Sequence, residues 1–305
     1  MSDVVNDVVS DVVSERVSGA PGQPWRVVTI VGVGLIGGSF ALALRKAGFK
    51  GRIIGVSSPN TIRAALERGA IDEALPLDAA AAQSDVIFLA QPIEKIRDTL
   101  SELDRHVRPG TLVTDAGSTK AAIVERAAQT IRQGRFVGGH PMAGKEARGV
   151  EAADADLFRG RPWVLTSGSG LPGALSEGDA ELESWIRKIG ARLVFLPAAE
   201  HDHLVALVSH LPQLLSTALA ASFAAEPSAV CVAGPAAIDL TRLALSPYDV
   251  WRDIFATNPV EIDAILGKFI AQLEKIRAEL KDNAAMADQF DNAAEAARAI
   301  RRSNE

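Results

Sequence analysis

The sequence predicts an α/β domain with a doubly wound parallel sheet, followed by an all-helical domain. Between residues 26 and 197, short apolar strands alternate with helical segments, and this pattern is typical of a parallel sheet that helices cover on both faces. After about Pro197 the strand signals stop, and the rest of the sequence has only helical periodicity. We therefore place the α/β domain at residues 25–197 and the helical domain at 198–305.

Each predicted strand is a short, nearly continuous apolar run. The runs are residues 26–31, 52–57, 85–90, 111–117, 135–139, 161–166 and 192–197. Helical segments at 39–48 and 61–69 follow the first two strands. The order of strand and helix predicts parallel connections along this part of the chain.

The helical domain is predicted to contain helices at 200–225, 236–257 and 259–304. The last of these carries a heptad-like apolar stripe at positions 262, 265, 269, 273, 276 and 280. Such a stripe needs a second surface to cover it. The chain's own helices or a second subunit could provide that surface, and we expect a homodimer.

Composition and charge indicate a cytoplasmic protein that binds neither nucleic acid nor membranes. The net charge of −6 and the isoelectric point near 5.5 are the opposite of the basic face that nucleic-acid binding requires. The single cysteine, Cys231, cannot form an internal disulfide, and we expect it to be buried. No apolar run of about eighteen residues is apparent, and the acidic N-terminus lacks the basic start of a secretory signal.

The first 24 residues differ from the rest of the chain. They contain the repeat SDVV–NDVV–SDVV and then a linker-like GAPGQP segment. Valine forms helices poorly, and acidic side chains four residues apart repel each other in a helix. We expect residues 1–24 to be a disordered tail, with a partner-binding helix as the alternative.

A glycine-rich loop follows the first strand and opens a helix. Its residues, Gly32-Val33-Gly34-Leu35-Ile36-Gly37, match the dinucleotide-binding pattern G-x-G-x-x-G in the structural context that this pattern requires. Gly32 permits the tight turn, Gly34 lets the backbone approach a pyrophosphate, and Gly37 allows close packing of helix and strand. The amides of Leu35 and Ile36 at the helix start would face the phosphates. The α/β domain is therefore predicted to be of the Rossmann type and to bind NAD or NADP.

The end of the second strand bears on the choice between NAD and NADP. An NAD enzyme usually has Asp or Glu about twenty residues after the glycines, but this chain has Ser57 and Ser58 there. Arg63 follows in the next helix and could supply positive charge to a 2′-phosphate. These residues slightly favour NADP and leave NAD open.

Two polar residues are predicted at the carboxyl edge of the sheet, where open α/β sheets bind ligands. The strand at 135–139 runs into His140, which lies between a glycine pair and Pro141. The strand at 111–117 leads to Ser118. As alternatives without a catalytic role, His140 could lie in a surface turn and Ser118 could cap a helix. Because both residues are predicted near the same cofactor cleft, we favour a catalytic role.

Six segments together make the chain resemble the prephenate and arogenate dehydrogenases of tyrosine biosynthesis. They are VGVGLIGGS, TDAGSTK, VGGHPMAGKEARGV, VSHLP, TRLALSP and WRDIF, in the order that the family has them, and the resemblance covers residues 26–280. It implies oxidative decarboxylation of a cyclohexadienol: hydride passes from C4 of the ring to the nicotinamide, and the ring carboxylate leaves as carbon dioxide.

The resemblance also implies roles for individual residues. His140 would accept the hydrogen bond of the substrate's 4-hydroxyl, and Ser118 would contact the same hydroxyl or the imidazole. Arg242 would pair with a substrate carboxylate, with Glu146 helping to position it. Gln213 departs from members that have a second histidine there; a glutamine could bind either a keto acid or an amino acid, so prephenate and arogenate both stay open.

No metal site is expected among the downstream histidines. His201 and His203 are two residues apart and point to different faces of a helix. His203 and His210 are separated by about 10.5 Å along a helix axis, which exceeds what two nitrogens on one metal can span. His210 is instead interpreted as a hydrogen-bonded residue between the domains and is counted with the substrate-binding candidates.

Two other functions are considered. A related dehydrogenase could act on another hydroxy acid, but such enzymes rely on a catalytic lysine, whereas His140 and Ser118 occupy the expected positions here. A catalytically silent NAD(P)-binding regulator could keep the glycine loop, yet it would not need His140, Ser118 and Arg242 together.

Overall fold

The computed structural model describes residues 25–166 and 180–302, and the strands of these residues form one eight-stranded sheet. The strands are β1 (Val27–Val31), β2 (Arg52–Val56), β3 (Glu73–Ala74), β4 (Val86–Leu89), β5 (Leu112–Asp115), β6 (Arg135–Pro141), β7 (Pro162–Thr166) and β8 (Arg192–Phe195). All seven predicted strands are present, and the two-residue β3 is additional. The predicted tail at 1–24, with its valine repeat, lies outside the described residues.

The strand order is β3-β2-β1-β4-β5-β6-β7-β8, and one neighbouring pair departs from the predicted parallel arrangement. Strands β6 and β7 pair antiparallel, with His140 opposite Val164; the other pairs are parallel. Between β6 and β7 the chain forms only a short 3₁₀ turn, Val150–Ala152, where a parallel connection would need a crossover helix. The chain therefore reverses its direction between Pro141, the end of β6, and Pro162, the start of β7.

Helices flank the sheet, and an aromatic cluster fills one of its faces. The helices are α1 (Leu35–Lys46), α2 (Pro59–Glu67), α3 (Leu77–Ala81), α4 (Ile93–Leu103), α5 (Ala121–Thr130) and α6 (Ala180–Lys188). Trp163 of β7 contacts Phe40, Phe88 and Phe158, with ring centroids 5.6, 6.0 and 5.0 Å from its own. Burial of these large rings stabilises the packing of α1 on the sheet.

The remaining described chain is helical, as predicted. Its elements are α7 (Ala198–Val205), a π-helical turn (Ala206–His210), α8 (Leu211–Ala225), a 3₁₀ segment (Pro227–Val232), α9 (Pro235–Thr241), a 3₁₀ turn (Arg242–Leu245), α10 (Tyr248–Thr257), α11 (Pro259–Glu279) and α12 (Asn283–Arg302). Two of the three predicted helices are interrupted. Pro247 separates α9 and its turn from α10, and residues 280–282 separate α11 from α12. Proline cannot donate the helical hydrogen bond, which explains the first break.

The chain divides into two compact units. The α/β unit comprises the described residues up to Asp202 together with Asp249–Thr257, and the helical unit comprises His203–Tyr248 with the described chain from Asn258 onwards. Helix α10 thus belongs to the α/β unit although the sequence pattern assigned it to the helical domain. The reason is its packing: Asp253 of α10 accepts a hydrogen bond from the amide of Glu94 at 3.3 Å.

The segment Ala198–Ala225 is long and apolar enough to cross a membrane by length and composition, with a mean hydropathy of 1.5 over its best window. The prediction that the chain has no apolar run of this length is therefore wrong for this segment. One helix of this kind is weak evidence for a membrane span, because core helices of globular proteins can have the same length and apolar composition. This one carries the buried side chains of His201, Asp202, His210 and Gln213.

The apolar stripe of α11 is buried at one end and exposed at the other. Ile262 and Ile265 are 9% and 4% exposed, whereas Leu273 and Leu280 are 49% and 63% exposed. Among residues 25–166 and 180–302, side chains therefore cover only the first part of the stripe. Cys231, expected to be buried, is exposed in its 3₁₀ segment, since the residues around it are exposed as well.

Candidate active site

The glycine loop joins β1 to α1 at the carboxyl edge of the sheet. Gly32 has φ +91°, and a Cβ there would lie 2.6 Å from the carbonyl oxygen of Ala90. A Cβ on Gly37 would overlap the carbonyl oxygen of Gly32. At Gly34, by contrast, a Cβ would meet nothing within 4 Å. Two glycines are thus needed for the fold, whereas the third leaves space in front of the loop.

The start of α1 suits an anion. Gly34 is the N-cap and provides no side-chain cap, and the first turn has no acidic side chain. The amides of Leu35 and Ile36 lie in this first turn, where helical amides have no intrahelical acceptor. The helix dipole adds partial positive charge at the same point. The residues present therefore fit the pyrophosphate of a dinucleotide.

Substituting the two glycines should separate folding from cofactor binding. Gly37→Ala places a methyl group against the backbone of Gly32, so we expect a loss of about 1–3 kcal/mol in the free energy of unfolding. Gly34→Ala adds a methyl group to open space, so the cofactor-free protein should keep its melting temperature while the Kd for the cofactor rises at least about tenfold, or 1.4 kcal/mol. Thermal melts and a cofactor titration of both variants measure the two effects, and equal losses of stability would contradict this division.

A cavity of about 360 Å³ lies beside the loop and contains Ser118. Its lining includes Ile36 of α1, Ala90 after β4, Gly117 and Ser118 after β5, and Arg148. Four residues of α10 also line it: Asp249, Val250, Asp253 and Ile254. The volume is within the range of small-ligand sites. Ser118 thus lies at the mouth of the predicted cofactor cleft, and His140 is not among the residues that line this cavity.

The candidate ribose-binding residues are exposed beyond β2. Ser57, Ser58 and Arg63 are all exposed. Ser58 also caps α2, because its hydroxyl accepts the amide of Thr61 at 3.5 Å. The end of β2 therefore presents hydroxyl groups and a nearby guanidinium, and no carboxylate stands at positions 57 or 58.

His140 lies at the penultimate position of β6 and is nearly buried, at 9% exposure. Its Nδ1 lies 2.8 Å from Nε2 of His201, and the two rings meet edge to face at 68°. Nδ1 of His201 lies 2.8 Å from Oδ1 of Asp202. Burial lowers the pKa of His201, with the charge of Lys120 acting in the same direction and Asp202 against it. His201 therefore stays neutral to a lower pH than an ordinary histidine.

A buried ion pair lies under the same strand end. Lys120 and Asp115 are both fully buried and form a salt bridge. Nζ of Lys120 also donates to the carbonyl of Gly139 at 2.8 Å, and Asp115 accepts the amides of Gly139 and Gly117 at 3.0 and 2.8 Å. Burial lowers the pKa of Lys120, and the charges of Asp115 and Asp202 partly offset that effect. The pair therefore joins the end of β5 to the end of β6, and β6 is the strand that carries His140.

The remaining predicted site residues lie in the loop after β6 and in the helical unit. Glu146 is exposed in the loop after β6, and Arg242 is exposed at the start of the 3₁₀ turn that follows α9. His210 is buried in the helical unit with Nδ1 3.4 Å from Nδ2 of Asn258. Gln213, also buried there, donates from Nε2 to the carbonyl of Leu243 at 2.9 Å, and its Oε1 is buried with no hydrogen-bond partner among the described residues.

Four residues around His140 are not predicted from the sequence as part of the site: Asp115, Lys120, His201 and Asp202. In the sequence, the motif TDAGSTK points to Ser118 rather than to Lys120, and the spacing of the histidines bears on His201 only as a metal ligand. A charged Asp–Lys pair five residues apart at a strand end was a usable signal, because buried charges need partners. The contact between His140 and His201 spans 61 residues and left no local pattern.

Models of two protein families match the chain. The model described as the nucleotide-binding domain of prephenate dehydrogenase covers residues 40–194. The model described as the dimerization domain of prephenate dehydrogenase covers residues 197–293. The chain belongs to the prephenate dehydrogenase family. It is therefore an NAD(P)-dependent oxidoreductase with a Rossmann-type domain and a dimerization-type helical domain, as the sequence motifs indicated.

Individual relatives of the prephenate dehydrogenase family agree with this assignment. The chain is 34% identical over 273 residues to a prephenate dehydrogenase of Lactococcus lactis, covering 87% of this chain and 74% of the relative. Among solved structures it resembles arogenate dehydrogenase of Synechocystis, at 30% identity and a TM-score of 0.76, covering 92% of this chain and all of that one. It also resembles prephenate dehydrogenase of Aquifex aeolicus in complex with hydroxyphenyl propionate and NAD+, at 28% identity and a TM-score of 0.77, covering 92% and 98%.

Proposed function

We propose that this protein catalyses the oxidative decarboxylation of prephenate, and also of arogenate, with NAD(P)+ as hydride acceptor. The observation that carries the proposal is the position of His140. It ends a strand at the same sheet edge as the glycine loop, in a chain of the prephenate dehydrogenase family. The products would be 4-hydroxyphenylpyruvate or tyrosine, together with carbon dioxide and reduced nicotinamide.

In the proposed mechanism, His140 accepts one proton from the substrate and later returns it. The glycine loop and the start of α1 would hold the dinucleotide, which would supply the acceptor for the hydride that leaves C4 of the substrate ring. His140 accepts the proton of the 4-hydroxyl as the C4–O bond becomes a carbonyl, a task that needs a neutral imidazole. The bond from C1 to the ring carboxylate then breaks, its electron pair completes the aromatic ring, and the phenolate oxygen takes the proton back. Ser118 hydrogen-bonds the same hydroxyl or the imidazole.

Four residues are proposed to bind the part of the substrate that lies away from C4 or to support that binding, on the basis of the family resemblance and of their local contacts. Arg242 pairs with a substrate carboxylate through its planar fork, and Glu146 helps to position it. His210 and Gln213 lie three residues apart and share a helical face. His210 supports this face through Asn258.

Gln213 supports the use of arogenate beside prephenate. Its Nε2 already donates to the carbonyl of Leu243, so the unpartnered Oε1 can only accept a hydrogen bond. An ammonium group provides the donor that this oxygen needs, whereas a keto group does not. A buried acceptor without a partner is costly, and the amino-acid substrate relieves that cost.

We propose a preference for NADP+ over NAD+. The support is the pair of hydroxyls at Ser57 and Ser58, which leaves a 2′-phosphate without a repelling carboxylate at these two positions, and the nearby Arg63. Ser58 is partly committed to capping α2, so Ser57 and Arg63 are the stronger candidates for phosphate contact. NAD+ is the cofactor named for the Aquifex aeolicus relative, and it is the alternative.

The assembly proposed is a cytoplasmic homodimer formed through the helical domain, with the domain boundary at residues 197 and 198. Support comes from the dimerization-domain match and from the exposed apolar side chains of Leu273 in α11 and Leu280 directly after it. Exposed apolar surface of this kind marks interaction sites. The chain's single cysteine fits a reducing compartment.

The test is a two-by-two initial-rate assay: prephenate or arogenate, each with NAD+ or NADP+, followed by absorbance of the reduced nicotinamide. We expect turnover with both substrates and faster turnover with NADP+. Arogenate that is not turned over contradicts the role of Gln213, and faster turnover with NAD+ contradicts that of Ser57 and Arg63. Absence of turnover in all four assays, with protein shown to bind cofactor, would favour the silent regulator.

A further inference from the structure

We infer that His201 and Asp202 form a positioning pair that fixes the tautomer of His140, so that Nε2 of His140 presents a lone pair to the substrate hydroxyl. The inference rests on the proposed function, which makes His140 the proton acceptor. Neither residue contacts the substrate in this account. Both act through the imidazole of His140.

The first step concerns Asp202, whose two carboxylate oxygens each accept a backbone amide. Its Oδ1 accepts the amide of Lys120 at 2.7 Å, and its Oδ2 accepts the amide of Ala121 at 2.9 Å. An ionised carboxylate is acceptor-only. The hydrogen bond between Asp202 and Nδ1 of His201 at 2.8 Å must therefore use a proton on that nitrogen.

The second step concerns the other nitrogen of His201. The residue is fully buried, and burial favours the neutral imidazole. A neutral imidazole with a proton on Nδ1 has a lone pair on Nε2. Since Nε2 lies 2.8 Å from Nδ1 of His140, the proton of that hydrogen bond belongs to His140.

The third step follows for His140. With its proton on Nδ1, neutral His140 has its lone pair on Nε2, the form that can accept from a hydroxyl. The opposite tautomer would place a proton on Nε2 and abolish acceptance. A carboxylate that holds a catalytic imidazole in the correct tautomer is a known device in hydrolases, where its loss costs about 10⁴-fold in kcat. Here the carboxylate acts through an intervening histidine.

Asp202 also has a structural task, because it caps the N-terminus of α5 through the amides of Lys120 and Ala121. Substituting Asp202 would therefore disturb the fold as well as the tautomer. Substitutions of His201 are more informative. A glutamine amide reaches about as far as Nε2 of histidine and can accept from His140, whereas an asparagine amide reaches about as far as Nδ1 and contacts only Asp202.

The experiment compares His201→Gln with His201→Asn. We expect His201→Asn to lower kcat by about 10²-fold, within the range of a lost proton-transfer arrangement, with little change in KM. His201→Gln should keep most of kcat. If His201 served only to hold Asp202 in place, His201→Asn would keep more of kcat than His201→Gln. Equal losses of kcat in the two variants, or a larger loss in His201→Gln, overturn the inference.

A spectroscopic readout makes the test independent of turnover. The chain has five histidines, so ¹⁵N-labelled histidine gives few signals, and a His140→Gln variant identifies those of His140. We expect His140 to have its proton on Nδ1 in the original protein and in His201→Gln, and a mixture of tautomers in His201→Asn. An unchanged tautomer in His201→Asn overturns the inference. Absence of turnover in the original protein would instead contradict the proposed function, and the tautomer could still be read.

Discussion

Replacing His140 by asparagine should lower kcat by about 10²–10⁴-fold, the usual contribution of a positioned acid or base. Asparagine removes the ring nitrogen that accepts the proton of the substrate hydroxyl. Because His140 is not among the residues that line the cavity next to the glycine loop, cofactor affinity should change little. Steady-state rates and a cofactor titration on the same preparation measure both effects.

His106→Asn is the matched control for this substitution. His106 is partly exposed just before β5 and contacts Arg105, so it lies away from the carboxyl edge that carries His140. The same change of side chain there should leave kcat within about twofold, as for most surface substitutions. A His140→Asn protein that retains most of its kcat would remove the basis of the proposed mechanism.

Replacing Lys120 by methionine should cost about 3–5 kcal/mol in the free energy of unfolding, because it leaves the charge of Asp115 buried without its partner. Both side chains are fully buried, and the amide contacts of Asp115 replace only part of the lost interaction. All four tryptophans lie in the α/β unit, so their fluorescence during urea unfolding reports on the unit that contains the pair.

Lys46→Met is the matched control for the buried pair. Lys46 forms a salt bridge with Asp156 at 2.5 Å, but the two side chains are 55% and 50% exposed. An exposed pair is worth about 0–1 kcal/mol, so this variant should unfold almost as the original protein does. Similar losses in the free energy of unfolding of the two variants would mean that burial does not determine how much the Lys120–Asp115 pair contributes to stability.

The fold was predictable because its signals are local. Apolar runs such as 85–90 and glycines at fixed spacing after β1 depend on nearby residues only, and the α/β class followed from them. The antiparallel pairing of β6 with β7 was not predictable, since the strand at 161–166 has the same apolar composition in either direction. The assignment of α10 to the α/β unit was missed for a similar reason. Helical periodicity gives the element but not its packing partner.

By itself, the sequence determined the strand–helix order, the glycine loop, the family, and the candidate residues His140 and Ser118. Only the tertiary structure revealed the contact of His140 with His201 and the buried pair of Lys120 and Asp115. The physical reason is that these contacts join residues that are distant along the chain or buried under a strand end. A hydrogen bond across 61 residues, and the burial that lowers the pKa of His201, exist only once the sheet edge has formed.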